Sequence, residues 1–220
     1  MTGGEGTDFL YPFIDGDQRD ATSLLADLAE SADGKVAAST ALRVATRERT
    51  AVDLDTVTSA MAERFAAGGQ LFTFGNGGSS TDAAAVAALF RASPFGSPLP
   101  ARSLVDDSAV LTALANDVGF DLVFARQLIA HGGPHDIALG LSTSGSSPNL
   151  LAAFAEARSR GLLTIGIAGY DGGQMAASGA VQHCLIVRSD SVHRIQEVQA
   201  SLTFALWSAV QERRRQGRDG

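Results

Sequence analysis

Hydroxyl-bearing side chains gathered around glycines are the residues of this chain best suited to chemistry. One cluster, Gly75-Asn76-Gly77-Gly78-Ser79-Ser80-Thr81-Asp82, follows the apolar run Leu71-Phe72-Thr73-Phe74. A second, Ser142-Thr143-Ser144-Gly145-Ser146-Ser147, follows Ile137-Ala138-Leu139-Gly140-Leu141. Glycines let a backbone approach a ligand closely. At the carboxyl end of a strand, the N–H groups of such a loop and the following helix N-terminus face an anion. In the second loop Ser142, Thr143, Ser144 and Ser147 add hydroxyl donors, and a helix beginning near Pro148 adds its dipole. A phosphate monoester, with several acceptor oxygens, suits neutral donors in this arrangement. One loop alone reads equally as a tight strand-to-helix turn. Two of them, with the helical segment Arg194-Ile195-Gln196-Glu197, point to a pocket for a phosphorylated small molecule.

Other chemistries are poorly served. A nucleoside-triphosphate loop needs a Gly-Lys-Ser/Thr ending, and neither serine loop contains lysine. A dinucleotide fingerprint would need glycine where Ser80 stands, with an acidic residue about 20 positions beyond; Pro94 to Pro100 fills that region. The single cysteine, Cys184, lies in the apolar run Cys184-Leu185-Ile186-Val187 and reads as a buried, inert thiol. His131 and His183 show no ligand spacing, and His135 and Asp136 flank the strand leading to the second loop. A net charge of −7 argues against a nucleic-acid partner. The cluster Arg213-Arg214-Arg215 reads as a solvated helix end. No apolar run reaches the roughly 18 residues of a membrane span, and the first residues lack the pattern of a secretory signal, so the expected location is the cytoplasm.

The elements that position the loops follow from periodicity. Residues 1–17 read as irregular, although Phe9-Leu10-Tyr11-Pro12-Phe13-Ile14 is apolar enough to dock on the body, a neighbouring subunit or a protein partner. Residues 18–68 read as helices whose apolar faces are packing surfaces, with Leu24, Leu25 and Leu28 on one face, Leu54, Val57, Met61 and Phe65 at helical intervals, and Gly68-Gly69 as the stop. From 69 to 213 strands alternate with helices. Strands are expected at 70–74, 101–105, 136–141, 162–168 and 182–187. Helices are expected at 80–92, 107–130 with a break near Asp117, 148–160, 172–177 and 192–213, ahead of a polar tail at 214–220. The fold class is α/β: a parallel sheet between two helical layers.

Five ordered motifs carry a resemblance: Gly75-Asn76-Gly77-Gly78-Ser79, Ala115-Asn116-Asp117, Ser142-Thr143-Ser144-Gly145, Asp171-Gly172-Gly173-Gln174-Met175 and Arg194-Ile195-Gln196-Glu197. Over roughly residues 50–212 the chain resembles the phosphoheptose isomerases of the sugar isomerase (SIS) domain family. The resemblance implies a three-layer αβα sandwich with a five-stranded parallel sheet preceded by N-terminal helices used in assembly, a homotetramer, and a pocket for sedoheptulose 7-phosphate or a related sugar. It implies ligand contacts at Asn76, Gly77, Gly78, Ser79, Asn116, Asp117, Ser142, Thr143, Ser144 and Ser147, with Gln196 facing the reacting end of the sugar.

The same resemblance implies a zinc site and catalytic base in the isomerases at positions that here align with Ala85, Leu89 and Phe204. Methyl, isobutyl and phenyl groups neither bind zinc nor move protons, so no metal or other cofactor is expected. Glu197 and His193, beside Gln196, are the candidate catalytic substitutes. The leading expectation is therefore a sugar-phosphate-binding protein in which metal-assisted isomerase chemistry is lost or replaced. Two alternatives stand beside it: an isomerase working without metal, and a non-catalytic regulatory or assembly protein like the SIS-type protein that binds the replication initiator DnaA.

Overall fold

The computed structural model describes residues 21–219. The irregular segment and apolar cluster expected in residues 1–17 lie outside them. The helical stretch expected before the sheet is one helix, α1 (Ala21–Ala66), and the chain divides into two compact units at Thr40, within it. Within the first unit, Leu25, Leu28 and Val36 are exposed, and the Thr40 hydroxyl donates to the Val36 carbonyl at 2.8 Å.

The second unit holds the sheet. Its five strands are β1 (Leu71–Gly75), β2 (Ala101–Ser103), β3 (Ile137–Ser142), β4 (Leu163–Gly169) and β5 (His183–Val187). They pair in parallel in the order β2-β1-β3-β4-β5. The helices between them are α2 (Gly78–Arg91), α3 (Ser108–Val118), α4 (Val123–His131), α5 (Pro148–Ser159) and α6 (Gly173–Ala177), and α7 (Val192–Asp219) follows the last strand. The break expected near Asp117 is at Gly119, whose φ of 92° ends α3 before a 3₁₀ turn at Phe120–Leu122.

β1, β3 and β4 are buried along their whole length, which is why they read as nearly continuous apolar runs. Alternate side chains serve different layers. Leu71, Ile137, Leu139, Ile165, Ile167 and Leu185 pack with Val57 and Met61 of α1, Val86 and Phe90 of α2, and Ile195, Leu206 and Trp207 of α7. Phe72, Phe74 and Ala138 pack on the opposite face with Phe124 and Leu128 of α4 and Leu150 and Phe154 of α5. Gly140 is required between these aromatics: a Cβ there would lie 2.6 Å from Phe154 Cζ and 2.8 Å from Phe74 Cε2.

Two expectations need correction. Arg213 is not a solvated end, because α7 continues to Asp219 and brings its guanidinium to Asp55 and to the Thr58 hydroxyl of α1. Cys184 is half-buried rather than buried, since β5 is an edge strand; burial still pushes its thiol up to about 11, which keeps it protonated and unreactive at neutral pH.

Candidate functional site at the carboxyl edge of the sheet

β1 has β2 on one side and β3 on the other, so the strand order reverses between β1 and β3. In open α/β sheets this switch point opens a crevice at the carboxyl ends of the strands. The two serine–glycine loops leave these two strands, and Gly75 pairs with Leu141 at their ends. Sheet topology thus brings together clusters that lie 67 positions apart, counting from Gly75 to Ser142.

The first loop turns sharply into α2. Gly77 holds φ at 55°, and Gly75 passes so near α2 that a Cβ would sit 2.5 Å from the Ser79 carbonyl oxygen. Ser79 is buried, and the Ser80 hydroxyl donates to the Gly77 carbonyl at 2.6 Å. Thr73 ties β1 to α2 through a 2.7 Å bond to the Ala83 carbonyl. Asn76, Gly77, Ser80, Thr81 and Ala84 line one side of a cleft of about 550 Å³, with Val105, Asp106, Phe120 and Phe124 opposite.

Three hydroxyls build the second loop from within. Ser142 Oγ accepts from the Gly145 N–H at 3.0 Å and lies 3.4 Å from Ser144 Oγ. Ser144 Oγ accepts from the Ser146 N–H at 3.3 Å, and Ser146 Oγ from the Gln174 N–H at 3.1 Å. Gly145, at φ 63°, abuts the turn after β4, where a Cβ would meet the Gly172 carbonyl oxygen at 2.1 Å. Ser144 faces solvent and Thr143 is partly exposed. Ser147 occupies the N-cap of α5 without a side-chain capping bond, followed by Pro148 in the first turn.

Three residues that sequence reasoning missed hold this edge together or open into it. Asn149 of α5 exchanges a reciprocal pair of 2.9 Å amide bonds with Asn76, joining the loops. Gln199 of α7, fully buried, donates to the Ser142 carbonyl at 3.3 Å and the Ile167 carbonyl at 3.2 Å. Asp82 of α2 is the third. No spacing rule marks any of them; each role depends on a distant element.

Gln196 of α7 lies against the start of α2, its Nε2 only 2.2 Å from where a Gly78 Cβ would stand. From that contact α2 and α7 run side by side, enclosing a smaller cleft of about 150 Å³ lined by Asp82, Ala85, Leu89, Ala200, Thr203 and Phe204, with Val86 at its base. Phe204 packs on Trp207 with ring centroids 5.2 Å apart and the ring planes tilted by 50°. Asp82 lines this cleft, its Oδ2 is buried with no hydrogen-bond partner, and desolvation raises its carboxyl above the usual range.

The other candidates are placed differently. Glu197 is paired with Arg194 at 2.6 Å, and His193 is exposed in the first turn of α7. Asn116 and Asp117 are exposed at the end of α3, where the Asn116 amide donates to the Asp117 carboxylate at 2.9 Å. Asp136 sits at the opposite end of β3, its two oxygens accepting from the Gln70 and Gly133 N–H groups at 2.8 Å each.

The SIS domain model matches residues 36–169. The chain belongs to the SIS domain family. Within that family it is similar to the phosphoheptose isomerase of Solidesulfovibrio magneticus, 45% identical over 159 residues, 71% of this chain and 76% of that protein. The phosphoheptose isomerase of Paramagnetospirillum magneticum is 44% identical over 154 residues, 69% of this chain and 79% of that one. Among solved structures, the phosphoheptose isomerase of Neisseria gonorrhoeae superposes with a TM-score of 0.76 at 31% identity, covering 84% of this chain and 99% of that one. The Francisella tularensis enzyme gives 0.78 at 28% identity, covering 84% and 98%.

The α2–α7 cleft of this SIS domain protein does not fit a zinc ion. Asp82 is its one carboxylate, no imidazole or thiolate lines it, and the remaining walls are apolar apart from Thr203. Among the described residues no group of three His, Cys, Asp or Glu side chains is gathered to hold a metal.

Proposed function

We propose that this SIS domain protein binds a phosphorylated sugar of the phosphoheptose type at the β1–β3 switch point, without the metal-assisted chemistry of an isomerase. The observation that carries this reading is the second loop. Its backbone is locked by its own hydroxyls, Ser144 and Thr143 remain open to solvent, and the α5 N-terminus lies directly behind. Asn76, Gly77, Gly78 and Ser79 approach the ligand from the neighbouring strand, and Gln196 faces the sugar beyond the phosphate. Asn116 and Asp117 complete the set when their mutual bond gives way to the ligand. The relatives named above, called phosphoheptose isomerases, support the choice of sugar. We further propose a homotetramer assembled through the helix before the sheet, as the resemblance implies.

Hydrogen bonds from hydroxyls to a charged phosphate contribute about 1.5–3 kcal/mol each. Calorimetry with sedoheptulose 7-phosphate is therefore expected to show binding that weakens roughly tenfold or more in the double variant Ser142→Ala, Ser144→Ala, which removes the open Ser144 hydroxyl and the buried Ser142 oxygen that holds the Gly145 N–H. Circular dichroism should show an intact fold. Unchanged affinity in the double variant would overturn the assignment of this loop.

Asp82 favours a second reading, an isomerase that works without metal. Glu197 and His193 serve that reading less well, the first being paired with Arg194 and the second lying out in solvent.

A further inference from the structure

A buried carboxylate oxygen with no hydrogen-bond partner is costly unless something uses it. Among the described residues Asp82 is the one carboxylate in that condition. Its place in the fold says what would use it. α2 and α7 both begin at the ligand edge, where Gly78 meets Gln196. Asp82 stands four residues beyond Gly78, about one helical turn, or 5.4 Å, further along α2. It opens into the cleft that Ala85, Leu89 and Phe204 leave between the helices. A sugar held by its phosphate at the second loop and passing Gln196 would direct its far end there.

We infer that Asp82 is a catalytic residue of this chain, exchanging a proton with the carbon next to the carbonyl of the bound sugar. The inference rests on the sugar-phosphate reading above. For a ketose, the Asp82 carboxylate takes the C1 proton. The C–H electron pair becomes the C1–C2 double bond of an enediol, while the C1 hydroxyl proton passes to the C2 oxygen. Asp82 then returns its proton to C2, and C1 becomes the aldehyde. No oxidant, reductant or metal is consumed, and the carboxylate is regenerated. Burial supports the role, because a carboxyl raised by desolvation is a stronger base once ionised. No second ionisable side chain lines the cleft to take this part.

The test is proton exchange. Sedoheptulose 7-phosphate is incubated with the full chain in deuterium oxide containing a chelator, and the C1 proton signals are followed by NMR. The wild-type protein should wash out one C1 proton. Asp82→Asn should slow the washout by roughly 10²–10⁴-fold while calorimetric binding of the sugar is retained. Asp82→Glu, which restores a carboxyl, should recover part of the exchange and guards against a variant that merely misfolds. Sugar binding by the wild type without exchange, or exchange at the full rate in Asp82→Asn, would overturn the inference and leave the binding proposal standing. Absence of binding by the wild type would overturn both.

Discussion

Asp82 has a consequence for stability that is separate from any reaction. Its carboxyl is raised in the folded protein because burial disfavours the charged form. The folded state therefore holds this proton more tightly than the unfolded chain does. The stabilisation linked to it is fully present below the ordinary carboxylate range and is lost as pH rises through the folded value. Asparagine has nearly the same shape and never ionises. Relative to wild type, Asp82→Asn should gain stability as pH rises from about 3 to 7. Urea unfolding at the two ends of that range measures the change, and a difference that stays constant would contradict it. At this scale the sequence was only partly legible. The hydroxyls of the two loops could be recognised because serine and glycine at a strand end have local meaning. Asp82 stands in the same stretch, yet its enclosure depends on Ala200, Thr203 and Phe204, more than a hundred positions away. Asn149 and Gln199 escaped for the same reason: an amide reveals its partner only after the elements have packed.

The strands were readable because a sheet covered on both faces demands apolar runs, and glycines close α3 and α4, at Gly119 and Gly132. Boundaries moved where tertiary contact decided them. β2 stops at Ser103 instead of continuing to 105, as the chain turns at Leu104 towards α3. α7 runs on to Asp219 past its expected end at 213, where Arg213 is held by Asp55 and Thr58 of α1. The pattern gave no warning that Gly140 was a packing position rather than a break in β3. Gly140→Ala forces a methyl into the space between Phe74 and Phe154, and overpacking of this kind costs about 1–3 kcal/mol. A denaturant midpoint lowered with an unchanged slope is the expected result. A variant as stable as wild type would show that the two rings part easily, and that the junction between β3 and its helical layer is looser than the contacts imply.

On the scale of the whole molecule, composition suited an α/β domain with helices ahead of it, and the five-stranded parallel sheet and its covering layers agree. Assembly is the larger question. In the second unit Phe204 is 49% exposed beside the α2–α7 cleft, and Val44 and Val52 of α1 are exposed as well. Large apolar side chains left exposed are a reason to look for a neighbouring copy. Light scattering should give a mass near four times the 22.7 kDa of one chain. A monomer at micromolar concentration would refute the tetramer and with it the role proposed for the leading helix.

The paired amides of Asn76 and Asn149 carry a last implication. Each side chain presents an oxygen to the other's nitrogen, so neither can flip alone without setting donor against donor and acceptor against acceptor. The loops after β1 and β3 are thereby coupled before any ligand arrives, and the conformational entropy of bringing them together is lost during folding rather than on binding. An incoming phosphate meets a frame already assembled, and its hydrogen bonds need not also immobilise two independent turns.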